Sequence, residues 1–147
     1  MNLETVFVYG SLKEGFHNHS IIQDAICLGR AITKESYLLM PGPGFPYLLK
    51  AYNDFELKPI IGELYGVGPK TFARIDQLEG NGIFYQREKV HVHNRNGQLT
   101  KAWAYFLMNQ RDLPNEPGSS NRKNIETFND GSSYYSWTGC DRFTGNR

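Results

Sequence analysis

Val6-Phe-Val-Tyr-Gly-Ser-Leu12 joins four consecutive apolar residues to a glycine and a serine. An unbroken run of β-branched and aromatic side chains fits a strand buried on both faces, and Gly10-Ser11 stops it. At the end of such a strand the backbone N–H groups of the turn have no strand partner, and a turn of that kind can bind a carboxylate. The spacing is neither G-x-x-x-x-G-K-[ST] nor G-x-G-x-x-G, so a nucleotide site has little support. Taken alone, a strand-end glycine is more often a plain turn residue.

Working outward, Lys13-Glu-Gly15 is followed by Ile21, Ile22, Ala25 and Ile26 at helical spacing, which predicts a short helix capped by Asn18 or Ser20. Gly29 to Met40 reads as one extended strand stopped by Pro41-Gly-Pro-Gly44, with a short strand at Tyr47-Leu-Leu49 beyond it. Pro59 opens a further strand, Ile60 to Val67, in which Gly62 and Gly66 mark either close approach of other backbone or bulges. Pro69 suits the first turn of a helix with Phe72, Ile75 and Leu78 on one face and Gly80 as terminator. Phe84 to His93 and Leu99 to Met108 form a hairpin through Asn94-Arg-Asn-Gly-Gln98, where Asn96-Gly97 is the turn signal.

Beyond Asn109 the composition turns to Asn, Ser, Gly, Pro and charge. The expected organisation is therefore one domain over residues 1–109 and a polar C-terminal arm over 110–147, packed on that domain or partly disordered. Strands interrupted by two short helices give an α+β class in which the sheet curls round on itself. A chain of 147 residues is long enough to bury a core without metals or disulfides.

Bulk properties narrow the function. Sixteen basic against fifteen acidic residues leave a net charge of +1, no field to draw in nucleic acid or an acidic membrane. Cys27 and Cys140 fit no C-x-x-C pattern, and the N-terminal apolar run is too short for a signal peptide or a membrane span, so a reduced, cytoplasmic protein is expected. His17-x-His19 and His91-x-His93 lack a third ligand at familiar spacing, which sets a metal site aside. Ser11 has no G-x-S-x-G context, which sets a serine hydrolase aside.

Glu79 is the remaining candidate. A carboxylate at the C-terminal end of a helix sits where the helix dipole disfavours negative charge, which helps raise its pKa toward the range of a general acid and base. The alternative is an idle surface Glu.

The order Phe7-Val-Tyr-Gly-Ser-Leu12, Gly62-Glu-Leu-Tyr65, Ile75-Asp-x-Leu-Glu-Gly80, Tyr85-x-Arg87, Ala102-Trp-Ala-Tyr105 resembles the gamma-glutamylcyclotransferase-like family, including its gamma-glutamylamine cyclotransferases. The resemblance spans roughly residues 5 to 108 and implies a small mixed β-barrel with short flanking helices. It implies that Tyr9, Gly10, Ser11 and Leu12 form the loop holding a glutamyl group and that Glu79 is the catalytic carboxylate. Tyr85, Arg87 and Tyr105 match positions near the pocket, Arg87 being equally an ion-pair partner. The implied substrate is a small gamma-glutamyl amine or amide, closed to 5-oxoproline by its own alpha-amine without metal or organic cofactor. Relatives often finish with a Gly-Asp-Trp-like segment, where this chain has Ser133-Tyr-Tyr-Ser-Trp-Thr-Gly139. The other readings are an inactive module on the same fold that binds a small ligand or a protein, and an interaction module acting through Tyr134, Tyr135 and Trp137.

Overall fold

The computed structural model describes residues 3–10, 19–41, 46–52, 54–108 and 134–136. Among the described residues seven strands and one α-helix follow in chain order: β1 Glu4–Val8, β2 Ile26–Thr33, β3 Leu38–Pro41, β4 Pro46–Leu49, β5 Ile61–Val67, α1 Pro69–Glu79, β6 Tyr85–His93 and β7 Leu99–Leu107. Five of them close a barrel in the order β1-β5-β2-β6-β7, while β3 and β4 pair separately as a two-stranded sheet. Neighbours in the barrel are antiparallel except β1 and β7, whose parallel pairing at Val6 and Trp103 closes the ring and makes it mixed. Closure leaves no open sheet edge at that seam, which a five-stranded sheet would otherwise expose.

The first strand lies where its apolar run places it, with Val6, Phe7 and Val8 all buried. It pairs with β5 from Glu4 opposite Val67 to Val8 opposite Glu63. Gly62 is the point of close approach: a Cβ there would stand 2.4 Å from the Val8 carbonyl oxygen and 2.7 Å from Phe7 Cζ. The bulge falls on β2 instead, between Cys27 and Gly29, where Gly29 adopts φ +98°.

Two expectations are corrected. The predicted helix at Ile21 to Ile26 is a single 3-10 turn, His19–Ile22, and Ile26 opens β2 because β5 pairs with it at Gly66. The predicted strand from Gly29 to Met40 is two strands. Thr33 ends the first by donating its hydroxyl to the Glu35 carbonyl at 2.7 Å while accepting the Ile60 N–H at 2.8 Å.

Helix α1 starts at Pro69 and stops at Gly80, which takes the left-handed conformation (φ 61°, ψ 49°). Gly80 N–H donates to the Gln77 carbonyl and Asn81 N–H to that of Asp76, the Schellman closure. The buried face runs through Thr71 and Ile75 with Phe72 at its margin; Leu78, expected there, is 41% exposed. Helical periodicity continues that face to Glu79, one turn after Ile75.

The β6–β7 hairpin pairs without interruption from Tyr85 opposite Leu107 to His93 opposite Leu99. Its loop is closed by the Asn94 side chain, which accepts the N–H groups of Asn96 and Gln98. One face of the hairpin, with Val90, Val92, Ala102 and Ala104, is core; the other meets α1 through Arg87, Tyr105 and Trp103. From the arm, Tyr135 is buried, bridges in parallel to Ile60, and donates its hydroxyl to the Glu56 carbonyl at 2.6 Å. Trp137 lies outside the described residues.

Candidate active site

Glu79 ends α1, and the turn that follows, Gly80 to Phe84, leads directly into Tyr85 at the start of β6. The Gly80 carbonyl gathers the N–H groups of Ile83, Phe84 and Tyr85, so helix end and strand start are held as one unit. Gly80 is required there twice over: its φ of +61° disfavours a side chain, and a Cβ would stand 3.2 Å from that of Phe84.

Three side chains meet around this unit. Burial raises the pKa of both Tyr9 and Tyr85, and the Glu79 carboxyl lies close enough for its charge to raise both further, at Tyr9 after the effect of Tyr85. The two tyrosines lie within hydrogen-bond reach of each other. Tyr9 donates its hydroxyl to the Tyr105 carbonyl at 2.6 Å, and Tyr85 donates its own to the Pro46 carbonyl at 2.8 Å. Each phenol proton is thus occupied, which leaves oxygen lone pairs as the polar surface near Glu79.

Burial pushes the Glu79 carboxyl up to about 7. The expected direction is therefore present, but removal from water is its cause rather than the helix dipole. Among the described residues no hydrogen bond or ion pair satisfies this carboxylate. An unpartnered half-buried carboxylate is costly unless something cationic comes to it.

Of the loop expected to hold a glutamyl group, Tyr9 and Gly10 are buried at the end of β1, and Ser11 and Leu12 lie outside the described residues. Arg87 and Tyr105 are near but are engaged elsewhere. Arg87 Nη1 pairs with Asp76 Oδ2 at 2.5 Å, and the Tyr105 hydroxyl donates to Asp76 Oδ1 at 2.5 Å. The Arg87 guanidinium stacks 4.2 Å from the Phe72 ring and 4.9 Å from that of Trp103.

Asp76 received no role from sequence, although it stands three residues before Glu79 and so one turn away on the same helix. The signal was the carboxylate itself, a second negative charge near a helix end whose last turn holds no basic residue. Asn81 was also missed; its side chain accepts the Arg87 N–H at 3.0 Å. His91 and His93 share one face of β6, and among the described residues no group of three or more potential metal ligands forms. Among the described residues no helix is long and apolar enough to cross a membrane.

Comparison with known proteins agrees with the fold. The family model for gamma-glutamyl cyclotransferase, AIG2-like, matches residues 6–129. A Methanocaldococcus jannaschii protein whose name places it among the gamma-glutamylcyclotransferases is 40% identical over 105 residues, 71% of this chain and 84% of the relative. The gamma-L-glutamyl-butirosin B gamma-glutamyl cyclotransferase of Niallia circulans is 38% identical over 109 residues, covering 70% of this chain and 66% of its own. The crystal structure of an AIG2-like protein from Mus musculus superposes with a TM-score of 0.66 at 26% identity, over 77% of this chain and 84% of that one. Motif order, mixed barrel and family match agree: the chain belongs to the AIG2-like gamma-glutamyl cyclotransferase family and is an enzyme of that type.

Proposed function

We propose that this enzyme converts a small gamma-glutamyl amine or amide into 5-oxoproline and the free amine, with Glu79 as the acid/base group. The observation that supports this reading above the others is the unpartnered, half-buried carboxyl held near neutrality beside two phenol oxygens. That surface presents acceptors, and the alpha-ammonium of a gamma-glutamyl group presents three donors.

The substrate brings its own nucleophile. Its alpha-nitrogen reaches the gamma-carbonyl carbon and closes a five-membered ring, so the enzyme's task is to fold the chain into that shape and manage protons. Proximity of this kind accounts for roughly 7 to 11 kcal/mol of barrier in favourable intramolecular cases. The alpha-ammonium attacks only after losing a proton, which Glu79 accepts. The new C–N bond forms, and as the tetrahedral intermediate collapses Glu79 gives the first proton to the leaving nitrogen and the gamma-amide C–N bond breaks. The regenerated carboxylate then takes the second proton from the ring nitrogen and passes it to the released amine, which departs as an ammonium, so atoms and charge balance without a cofactor.

A carboxyl with a pKa near 7 suits both halves of this exchange, since at neutral pH it neither holds nor refuses a proton strongly. In this reading Tyr9 and Tyr85 accept from the ammonium, and the backbone from Gly10 through Ser11 to Leu12 holds the alpha-carboxylate or the developing oxyanion. The Niallia circulans relative is named for a gamma-glutamyl compound, gamma-L-glutamyl-butirosin B, as the group it acts on. Incubation with a panel of gamma-glutamyl amines, gamma-glutamyl dipeptides and glutathione, following 5-oxoproline, identifies the leaving group. Absence of 5-oxoproline from every member, with the protein folded, favours the inactive-module reading.

A further inference from the structure

Arg87 touches the segment that bears Glu79 twice, once on either side of it. Its guanidinium Nη1 reaches Asp76 Oδ2 at 2.5 Å, three residues before Glu79. Its backbone N–H donates to Asn81 Oδ1 at 3.0 Å, two residues after. Asn81 closes the loop by donating its own N–H to the Asp76 carbonyl at 2.9 Å. Glu79 is thus bracketed by two anchors that converge on one residue of β6.

A second chain of contacts joins the same helix turn to the tyrosines. The other Asp76 oxygen accepts the Tyr105 hydroxyl at 2.5 Å, and the Tyr105 carbonyl accepts the Tyr9 hydroxyl at 2.6 Å. One residue of β7 therefore sets Asp76 and Tyr9 relative to each other. The guanidinium also packs against the adjoining rings of Phe72 and Trp103, and Trp103 Nε1 donates to Glu4 Oε1 at 2.9 Å, which ties this contact to β1. A planar cation packed in the corner of two rings and paired at its edge keeps one direction, which a flexible lysine ammonium would not.

The helix needs this help. Asp76 and Glu79 bring two carboxylates to its C-terminal end, where the dipole opposes negative charge, and its last turn offers no basic residue. Arg87 supplies from outside the cation that this turn lacks. We propose that Arg87, supported by Asp76 and Tyr105, is a positioning residue that fixes the end of α1 against β6 and β7 so that the Glu79 carboxyl faces Tyr9 and Tyr85. The proposal rests on Glu79 being the acid/base group, and it assigns no atom of Arg87 to the substrate.

Steady-state kinetics of the full chain tests it, with the fastest substrate of the panel and with folded protein quantified by circular dichroism. The variants are Arg87→Ala, Arg87→Lys, Tyr105→Phe, Glu79→Gln and the Glu79→Gln/Arg87→Ala pair. Arg87→Ala should lower kcat about 10- to 100-fold with KM changed by less than about threefold, as misplacement of a reacting group does. Arg87→Lys should restore little of that loss, because an ammonium can pair with Asp76 but cannot lay a planar face on the rings. In the Glu79→Gln background Arg87→Ala should cost nothing further, because the group it positions is gone.

Unchanged kcat in Arg87→Ala, with KM raised or not, overturns the proposal, and so does full additivity in the pair. Should Arg87→Ala not fold, Tyr105→Phe decides by the same kcat-against-KM split, since it removes one hydroxyl and leaves ring and strand in place. Wild-type turnover by Glu79→Gln would instead remove the acid/base assignment and the proposal together, a result distinct from all of these.

Discussion

Replacing Glu79 by Gln should make the protein more stable at alkaline pH than at acid pH relative to wild type, and the size of that crossover follows from one number. Burial raises the folded-state pKa from its usual 4.5 to about 7, so between those values the native state binds a proton that the unfolded chain has released. Stability of the wild type therefore falls as pH rises through this window and levels off above about 7. At about 1.4 kcal/mol per pH unit, the loss between pH 5 and pH 8 integrates to about 2.5 kcal/mol. Glutamine does not titrate, and the fixed cost of burying its amide is the same at both pH values. The difference between mutant and wild type should thus shift by about 2 to 3 kcal/mol in favour of the mutant from pH 5 to pH 8. Urea unfolding of both proteins at the two pH values measures it. Parallel pH dependence would refute the reasoning, because it would mean that Glu79 ionises in the folded protein as it does in water.

The same carboxyl should shape the pH–rate profile: kcat/KM should rise through an acid limb near pH 7, since the free enzyme needs Glu79 ionised to accept the ammonium proton. The limb of kcat should lie lower, because a bound ammonium stabilises the carboxylate; coincident limbs in a full pH profile would contradict this. Gly62→Ala should lower stability by about 2 to 4 kcal/mol or prevent folding, read as the urea midpoint, since its Cβ would overlap backbone oxygen of β1 at 2.4 Å. Tyr9→Phe should cost about 1 to 3 kcal/mol in the same assay, because the Tyr105 carbonyl loses a buried donor now at 2.6 Å.

What the sequence disclosed was local. Pro69 and Gly80 bound α1 because each acts through its own backbone, one by a preset φ and the other by a left-handed one. The hairpin was legible because Asn94 and Gly97 close it within five residues. The break between β2 and β3 was not, since Thr33 ends its strand partly through Ile60, a partner 27 residues away. Ile26 looked helical because Ile21, Ile22 and Ala25 precede it at the right interval, and only pairing with β5 overrides that periodicity.

At the candidate site the limits were similar. The place of Glu79 at a helix end pointed to the right direction of shift, yet burial causes it, and burial depends on how α1 meets the barrel. Arg87 and Tyr105 could be matched to a family position, but their common partner Asp76 became visible only when the helix and the hairpin were laid together. Tyr135 returns from the polar arm to cover Ile60, a contact that no pattern within the arm announces.

The most direct test of the central claim is the rate of 5-oxoproline formation from the best gamma-glutamyl substrate by wild type and by Glu79→Gln, side by side at equal folded concentration. Wild type should turn over and the variant should lose about 100- to 10,000-fold, the range of a general acid/base group. Equal rates from the two proteins would contradict it and return Glu79 to the surface carboxylates that do no chemistry.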